Sequence, residues 1–155
     1  MLKFILVTLL FLSGCSAVPL AAGPRSRIDH VAISVPNARA SAAFYRGAFG
    51  FAELKTPFGS GADVVWLDLG GGIALHVFGG RAADIENEHE RHIAFAVPDM
   101  SRVTDFLKSR GIPWQNFEGV QGEMQTRPDG VRQMFFRDPD GYWVEVNDAL
   151  KAAVR

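Results

Sequence analysis

Cysteine is almost missing from this chain. Cys15 is the single one in 155 residues, so no internal disulfide can staple the fold and stability must come from a packed core. An excess of one charge is missing too. Sixteen Lys and Arg stand against 17 Asp and Glu, for a formal net charge of −1. There is no basic run of the kind that displaces counterions from a phosphate backbone, which argues against a nucleic-acid partner. Nor is there a long apolar run. Phe4 to Leu12 is uncharged over nine residues, about 14 Å of helix, too short for a ~30 Å hydrocarbon core. What is present, 48% hydrophobic residues over this length, suffices for one domain with a real core and not for two.

Lys3 is the only charge ahead of Arg25, which marks the leading segment as an address and not as part of the fold. The apolar run ends in Leu12-Ser13-Gly14-Cys15, which resembles the lipobox of bacterial lipoproteins. That resemblance implies a signal peptide over residues 1–14, lipidation of Cys15 and a tether over 15–27 containing Pro19, Gly23 and Pro24. Ser16 after the cysteine leans towards the outer membrane. An ordinary signal peptide cut near Ala21-Ala22 is the alternative. Either reading predicts an exported, periplasmic domain, and the lipid would be its only membrane contact.

The rest of the chain repeats itself. Ile28-Asp29-His30-Val31-Ala32-Ile33-Ser34-Val35-Pro36 is echoed by Glu90-Arg91-His92-Ile93-Ala94-Phe95-Ala96-Val97-Pro98, with an offset of 62 between His30 and His92. Both segments alternate at period 2, as half-buried strands do. Val31, Ile33 and Val35 share one face, as do Ile93, Phe95 and Val97. The opposite faces carry His30 and His92 among small residues, which leave room for a cavity. Asn37 then caps a helix predicted over Ala38 to Phe49, and Asp99 caps one over Met100 to Arg110. Gly50 and Gly111 end them.

Further strands are predicted at Asp63 to Leu69, Ile73 to Phe78, Gln133 to Arg137 and Tyr142 to Asn147, with shorter ones near Ala52-Glu53-Leu54 and Trp114-Gln115-Asn116. Gly70-Gly71-Gly72 and Asp138-Pro139-Asp140-Gly141 supply the turns. Gly72 and Gly141 align at an offset of 69, so the second half holds seven extra residues, placed within Glu118 to Gly130. The expectation is an α+β fold of two βαβββ modules, about 28–80 and 90–148, within a domain spanning 28–148 and followed by a tail over 149–155. Side by side, two such sheets would curl around a shared hollow.

The same alignment sets His76 opposite Glu145. Two corresponding positions in each half thus carry a candidate ligand: His30 and His76 in the first, His92 and Glu145 in the second. Three imidazoles and a carboxylate suit one divalent ion, whether zinc, nickel, cobalt, manganese or iron. A lone strand histidine is more often an exposed or hydrogen-bonded residue than a ligand. Here three of only four histidines occupy repeat-equivalent positions. The fourth, His89, lies in a charged stretch and reads as solvated linker. Trp143 and Asn147 share the parity of Glu145, and Phe78 that of His76, so these side chains are expected to face a substrate. Arg127 and Arg132 flank the extra loop. Arg132 is expected to contact the substrate.

Asp29-His30-Val31-Ala32, Phe44-Tyr45 with Phe49-Gly50-Phe51, His92-Ile93-Ala94-Phe95, and Phe136 through Glu145 stand out as motifs. Through them the chain from Ile28 to Asp148 resembles the vicinal oxygen chelate superfamily, which includes glyoxalase I, extradiol dioxygenases and the bleomycin and fosfomycin resistance proteins. It implies paired βαβββ modules around a metal cleft, with His30, His92 and Glu145 at the family's ligand positions. His76 departs from the pattern, since glyoxalases usually carry a glutamate there. Glu145 would then serve as both ligand and catalytic base. The implied activity is a lyase or isomerase of glyoxalase type acting on a small substrate with vicinal oxygens. An iron-dependent extradiol-type dioxygenase is the second reading, and a non-catalytic drug- or metabolite-binding module the third. Relatives pair their modules within one chain or across a homodimer, and the sequence leaves both arrangements open.

Overall fold

The computed structural model describes residues 26–59, 62–82 and 88–152. The predicted signal peptide, Cys15 and most of the tether fall outside them. No helix among the described residues is long and apolar enough to cross a membrane.

Two βαβββ modules are present. The first runs β1 (His30–Ser34), α1 (Ala38–Phe49), β2 (Ala52–Leu54), β3 (Val64–Gly70) and β4 (Ile73–Phe78). The second runs β5 (His92–Ala96), α2 (Met100–Ser109), β6 (Trp114–Gln115), β7 (Gln125–Thr126), β8 (Arg132–Arg137) and β9 (Trp143–Asn147), before a short α3 (Ala149–Ala152). Their sheets have matching strand orders, β1-β4-β3-β2 and β5-β9-β8-β6, with β7 added against β8. In each, the first strand lies parallel to the last and all other pairings are antiparallel. The internal repeat is therefore a repeat of topology. Neither sheet closes, and among the described residues no ladder joins the two.

Both helices start where a short polar side chain can satisfy an orphan amide. Asn37 accepts from Ala40 N at 2.9 Å, and Asp99 accepts from Ser101 N at 2.9 Å. Gly50 ends α1 with φ 77°, a left-handed conformation that glycine adopts without a Cβ penalty. The greasy strand faces do pack inward, but into one core common to both modules. Ile33, Val35, Leu75 and Val77 share it with Phe95, Val97, Met134 and Val144. Phe44 on α1 meets Phe106 of α2 at 5.5 Å between ring centroids, and Phe49 meets Phe95 at 4.6 Å.

Polar contacts fix this pairing where the β8–β9 turn docks on the first module. Tyr142 Oη accepts from Ser34 N and donates to Ser34 O, both at 2.9 Å. Ser41 donates to Asp140 Oδ2 at 2.5 Å, and Tyr45 to Asp138 Oδ2 at 2.6 Å. Asp138 Oδ1 also accepts from the amides of Asp140 and Tyr142. Three donors favour the ionised carboxylate, yet burial outweighs them and pushes the Asp138 carboxyl up to about 6.

A carboxyl raised in the folded state supports the fold most when protonated. Its contribution is complete below the unfolded value and is lost as pH rises through about 6. Unfolding free energy is therefore expected to fall by on the order of 3 kcal/mol across that window. Asp138→Asn keeps the two amide bonds and lets the Tyr45 hydroxyl accept, so it should flatten the slope. Urea unfolding of both proteins between about pH 4 and about pH 7 checks this. Equal slopes would show that Asp138 is not the titrating group.

Candidate metal and substrate site

On the outward face of the first sheet, strand register brings His30 and His76 together. Ala32 pairs with His76 and His30 with Ala74, so the two imidazoles lie diagonally across β1 and β4. Their rings stack at 4.1 Å with planes 10° apart, and His76 stacks in turn on Trp66 at 4.0 Å and 4°. Phe58 meets the edge of Trp66, and Phe78 that of His76. Burial, then the neighbouring His30 charge, holds His76 below the ordinary histidine value, which favours a neutral ring.

His30 Nδ1 lies 2.8 Å from Asp29 Oδ2. A carboxylate can only accept, so Nδ1 donates and it is Nε2 that would offer a lone pair to an ion. Such a hydrogen bond is the usual way a ligating histidine is oriented.

The second sheet builds its pair more tightly. Ala94 pairs with Glu145, the same register that Ala32 keeps with His76. Glu145 is buried on the central strand β9, with Oε2 at 3.2 Å from His92 Nε2. The far end of each group is tied down. His92 Nδ1 donates to His89 O at 2.9 Å, so it is Nε2 that would offer a lone pair to an ion. Glu145 Oε1 accepts from Asn147 Nδ2 at 2.7 Å and lies 3.6 Å from Arg127 Nη1. Oxygen and nitrogen donors to one divalent ion, bonded at about 2.1 Å each, sit roughly 3 Å apart. The His92–Glu145 pair fits such an ion. His30 Nε2 fits it chemically. His76 fits less well, because stacked parallel rings hold their lone pairs in parallel planes that do not converge.

The four expected ligands form two pairs and not one cluster. Among the described residues, no three His, Cys, Asp or Glu side chains are gathered closely enough to hold a metal ion. The shared core explains this, since the modules meet through their helix-covered faces and leave each histidine-bearing face outward.

Of the expected substrate-facing residues, Trp143 lies on the Glu145 face under the Arg137 guanidinium, 4.5 Å above its ring. Asn147 orients Glu145. Phe78 stands on the His76 face, 40% exposed. Arg132 lies on the opposite side of β8 from Gln133 and Phe135, pairing with Asp148 and Met124. It does not reach Glu145, whereas Arg127 does.

His89 corrects the expectation of a solvated linker. Its ring is half-buried against Phe135 at 4.3 Å, Trp143 at 4.8 Å and Phe117 at 5.0 Å. Burial holds it below the ordinary histidine value, and its carbonyl fixes the His92 tautomer. Trp66 was also missed, although the offset of 69 places it opposite Phe135.

Residues 27–146 match the family model of the Glyoxalase/Bleomycin resistance protein/Dioxygenase superfamily. A curated relative, Glyoxylase I 4 of Arabidopsis thaliana, is 28% identical over 77% of this chain and 68% of its own length. A glyoxalase family protein from Enterococcus faecalis is similar in structure, with a TM-score of 0.57 and 29% identity over 78% of this chain and 96% of that one. Oxidase ChaP-H2 has a TM-score of 0.66 at 21% identity, covering 79% and 92% of the two chains, and at that identity shows likeness of fold.

Proposed function

Given that the chain belongs to the Glyoxalase/Bleomycin resistance protein/Dioxygenase superfamily, we propose that it is a divalent-metal-dependent enzyme of glyoxalase type, acting on a small substrate with vicinal oxygens. One observation carries this reading. His92 Nε2 and Glu145 Oε2 face each other at 3.2 Å while the remaining polar atom of each is held by the protein. His30, His92 and Glu145 would hold the ion, with His76 as fourth ligand. Once bound, the ion would polarise the two substrate oxygens.

The proton work falls to Glu145, among the described residues the only carboxylate of this face placed against a candidate ligand. Its Oε2 takes a proton from the carbon beside the carbonyl and returns it to the neighbouring carbon, an isomerisation with no net change in composition. Asn147 and Arg127 hold Oε1, so the transfer runs through Oε2. Trp143 and Phe135 line the face and exclude water around it.

Iron-dependent ring cleavage is the second reading, favoured by the stacking of His76. A ring clamped between Trp66 and His30 is available as an acid or base, and His30, His92 and Glu145 would then supply the two histidines and one carboxylate that hold iron in such enzymes. Metal analysis of protein purified without chelator tests both readings. About one ion per assembled site is expected, and His92→Ala should lower metal affinity at least tenfold. Sub-stoichiometric metal under replete conditions would leave the binding-module reading and sink both enzymes. Iron with oxygen uptake on catechols would replace the isomerase by the dioxygenase, and turnover of the methylglyoxal–glutathione hemithioacetal would establish the isomerase.

A further inference from the structure

His92 stands between two acceptors that compete for its proton. His89 O lies 2.9 Å from Nδ1, and Glu145 Oε2 lies 3.2 Å from Nε2. An ion at Nε2 needs a bare nitrogen, so the neutral ring must keep its proton on Nδ1. The His89 carbonyl is what retains it there. Were that carbonyl to swing away, the carboxylate would be the better acceptor and Nε2 would take the proton.

The first module meets the same need with a side chain, since Asp29 Oδ2 lies 2.8 Å from His30 Nδ1. The second module cannot. The offset of 62 places Arg91 opposite Asp29, and a guanidinium only donates. The acceptor is instead a main-chain carbonyl in the turn before β5, where Arg91 N donates to Glu88 O at 3.0 Å. Glu88, Glu90 and Arg91 are exposed, so the turn needs an anchor from elsewhere.

The anchor is the His89 ring. It is half-buried against Phe135 at 4.3 Å, Trp143 at 4.8 Å and Phe117 at 5.0 Å between ring centroids. Two of these plates are fixed by the sheet: Trp143 pairs with His92 across the β5–β9 ladder, and Phe135 pairs with Glu145. One atom of the seated ring shows how it works. His89 Nε2 is buried, and among the described residues it has no hydrogen-bond partner. An unpaired buried nitrogen costs its desolvation and returns no hydrogen bond. The ring therefore acts as an aromatic plate, by shape and contact.

We propose that His89 is a positioning residue for His92. Its ring, seated between Phe117, Phe135 and Trp143, fixes the carbonyl that keeps the His92 proton on Nδ1, and so keeps Nε2 open to a divalent ion. The inference rests on the reading of His92 and Glu145 as part of a metal site.

The test compares the wild type with His89→Ala, His89→Phe and Phe117→Ala, first as chelator-treated protein and then in zinc titrations. Nitrogen-edited NMR of the histidine rings is expected to show a slowly exchanging His92 Nδ1–H in the wild type. His89→Ala should lose that signal, move the proton to Nε2 and weaken zinc at least tenfold. His89→Phe refills the seat and should keep both the signal and the zinc affinity. Phe117→Ala removes only the exposed wall and should lose part of each, which decides the matter if His89→Ala does not fold. An Nδ1–H signal unchanged in the alanine variants would overturn the proposal. So would a His89→Phe as damaged as His89→Ala, or a lost signal with undiminished zinc affinity. A wild type that binds no zinc would sink the metal reading instead, and the Nδ1–H signal, read without metal, would still decide whether His89 places the proton.

Discussion

Glu145→Gln is expected to lower kcat by about 10²- to 10⁴-fold with the fold unchanged. The substitution keeps the shape. A glutamine carbonyl at the Oε1 position still accepts from Asn147, and its amide can donate to the His92 Nε2 lone pair across the present 3.2 Å. Arg127 keeps its paired bonds to Asp129. What is lost is the carboxylate oxygen that faces His92 and the one anionic donor of the candidate ligand set. Metal affinity should therefore fall together with kcat. Asn147→Ala separates the two roles, because it frees Oε1 and leaves both oxygens in place. It should cost about 10- to 100-fold in activity with a smaller loss of metal. Kinetics and metal titration on the same preparations decide the matter. Full activity in Glu145→Gln would remove Glu145 from the chemistry altogether.

Most of the fold was legible because period-2 alternation, capping residues and the repeat pointed the same way. The Gly72–Gly141 alignment proved right at the level of register, since His76 lies beside Ala32 as Glu145 lies beside Ala94. The two-residue β7 and the four-residue α3 were not read, being too short for any periodicity to register. The site was less legible than the fold. His89 sits in a charged stretch, and the rings that bury it, Phe117, Phe135 and Trp143, are distant in sequence. Arg127 and Arg132 look alike along the chain, and only the course of the loop turns one towards Glu145 and the other towards Asp148. Above all, equivalence within a repeat says which residues correspond and not that they meet. The shared core carries the two ligand pairs apart.

That separation leads to the second large expected effect. His30 with His76, and His92 with Glu145, can share one ion without undoing the Tyr45–Asp138 and Tyr142–Ser34 contacts only if a second copy supplies the missing half. In such a homodimer each site combines the first module of one chain with the second module of the other, and a twofold axis makes two equal sites. His30→Ala and Glu145→Gln should then each be inactive alone. In a heterodimer of the two variants, one site collects both lesions and the other collects neither. Co-refolding equal amounts with random pairing should restore about a quarter of the wild-type sites, because half the dimers are mixed and each carries one intact site. Metal content should recover in the same proportion, and dilution below the dimer dissociation constant should abolish both. If the four ligands instead converged within a single chain, every chain in the mixture would still carry a lesion, and neither activity nor metal would return at any mixing ratio.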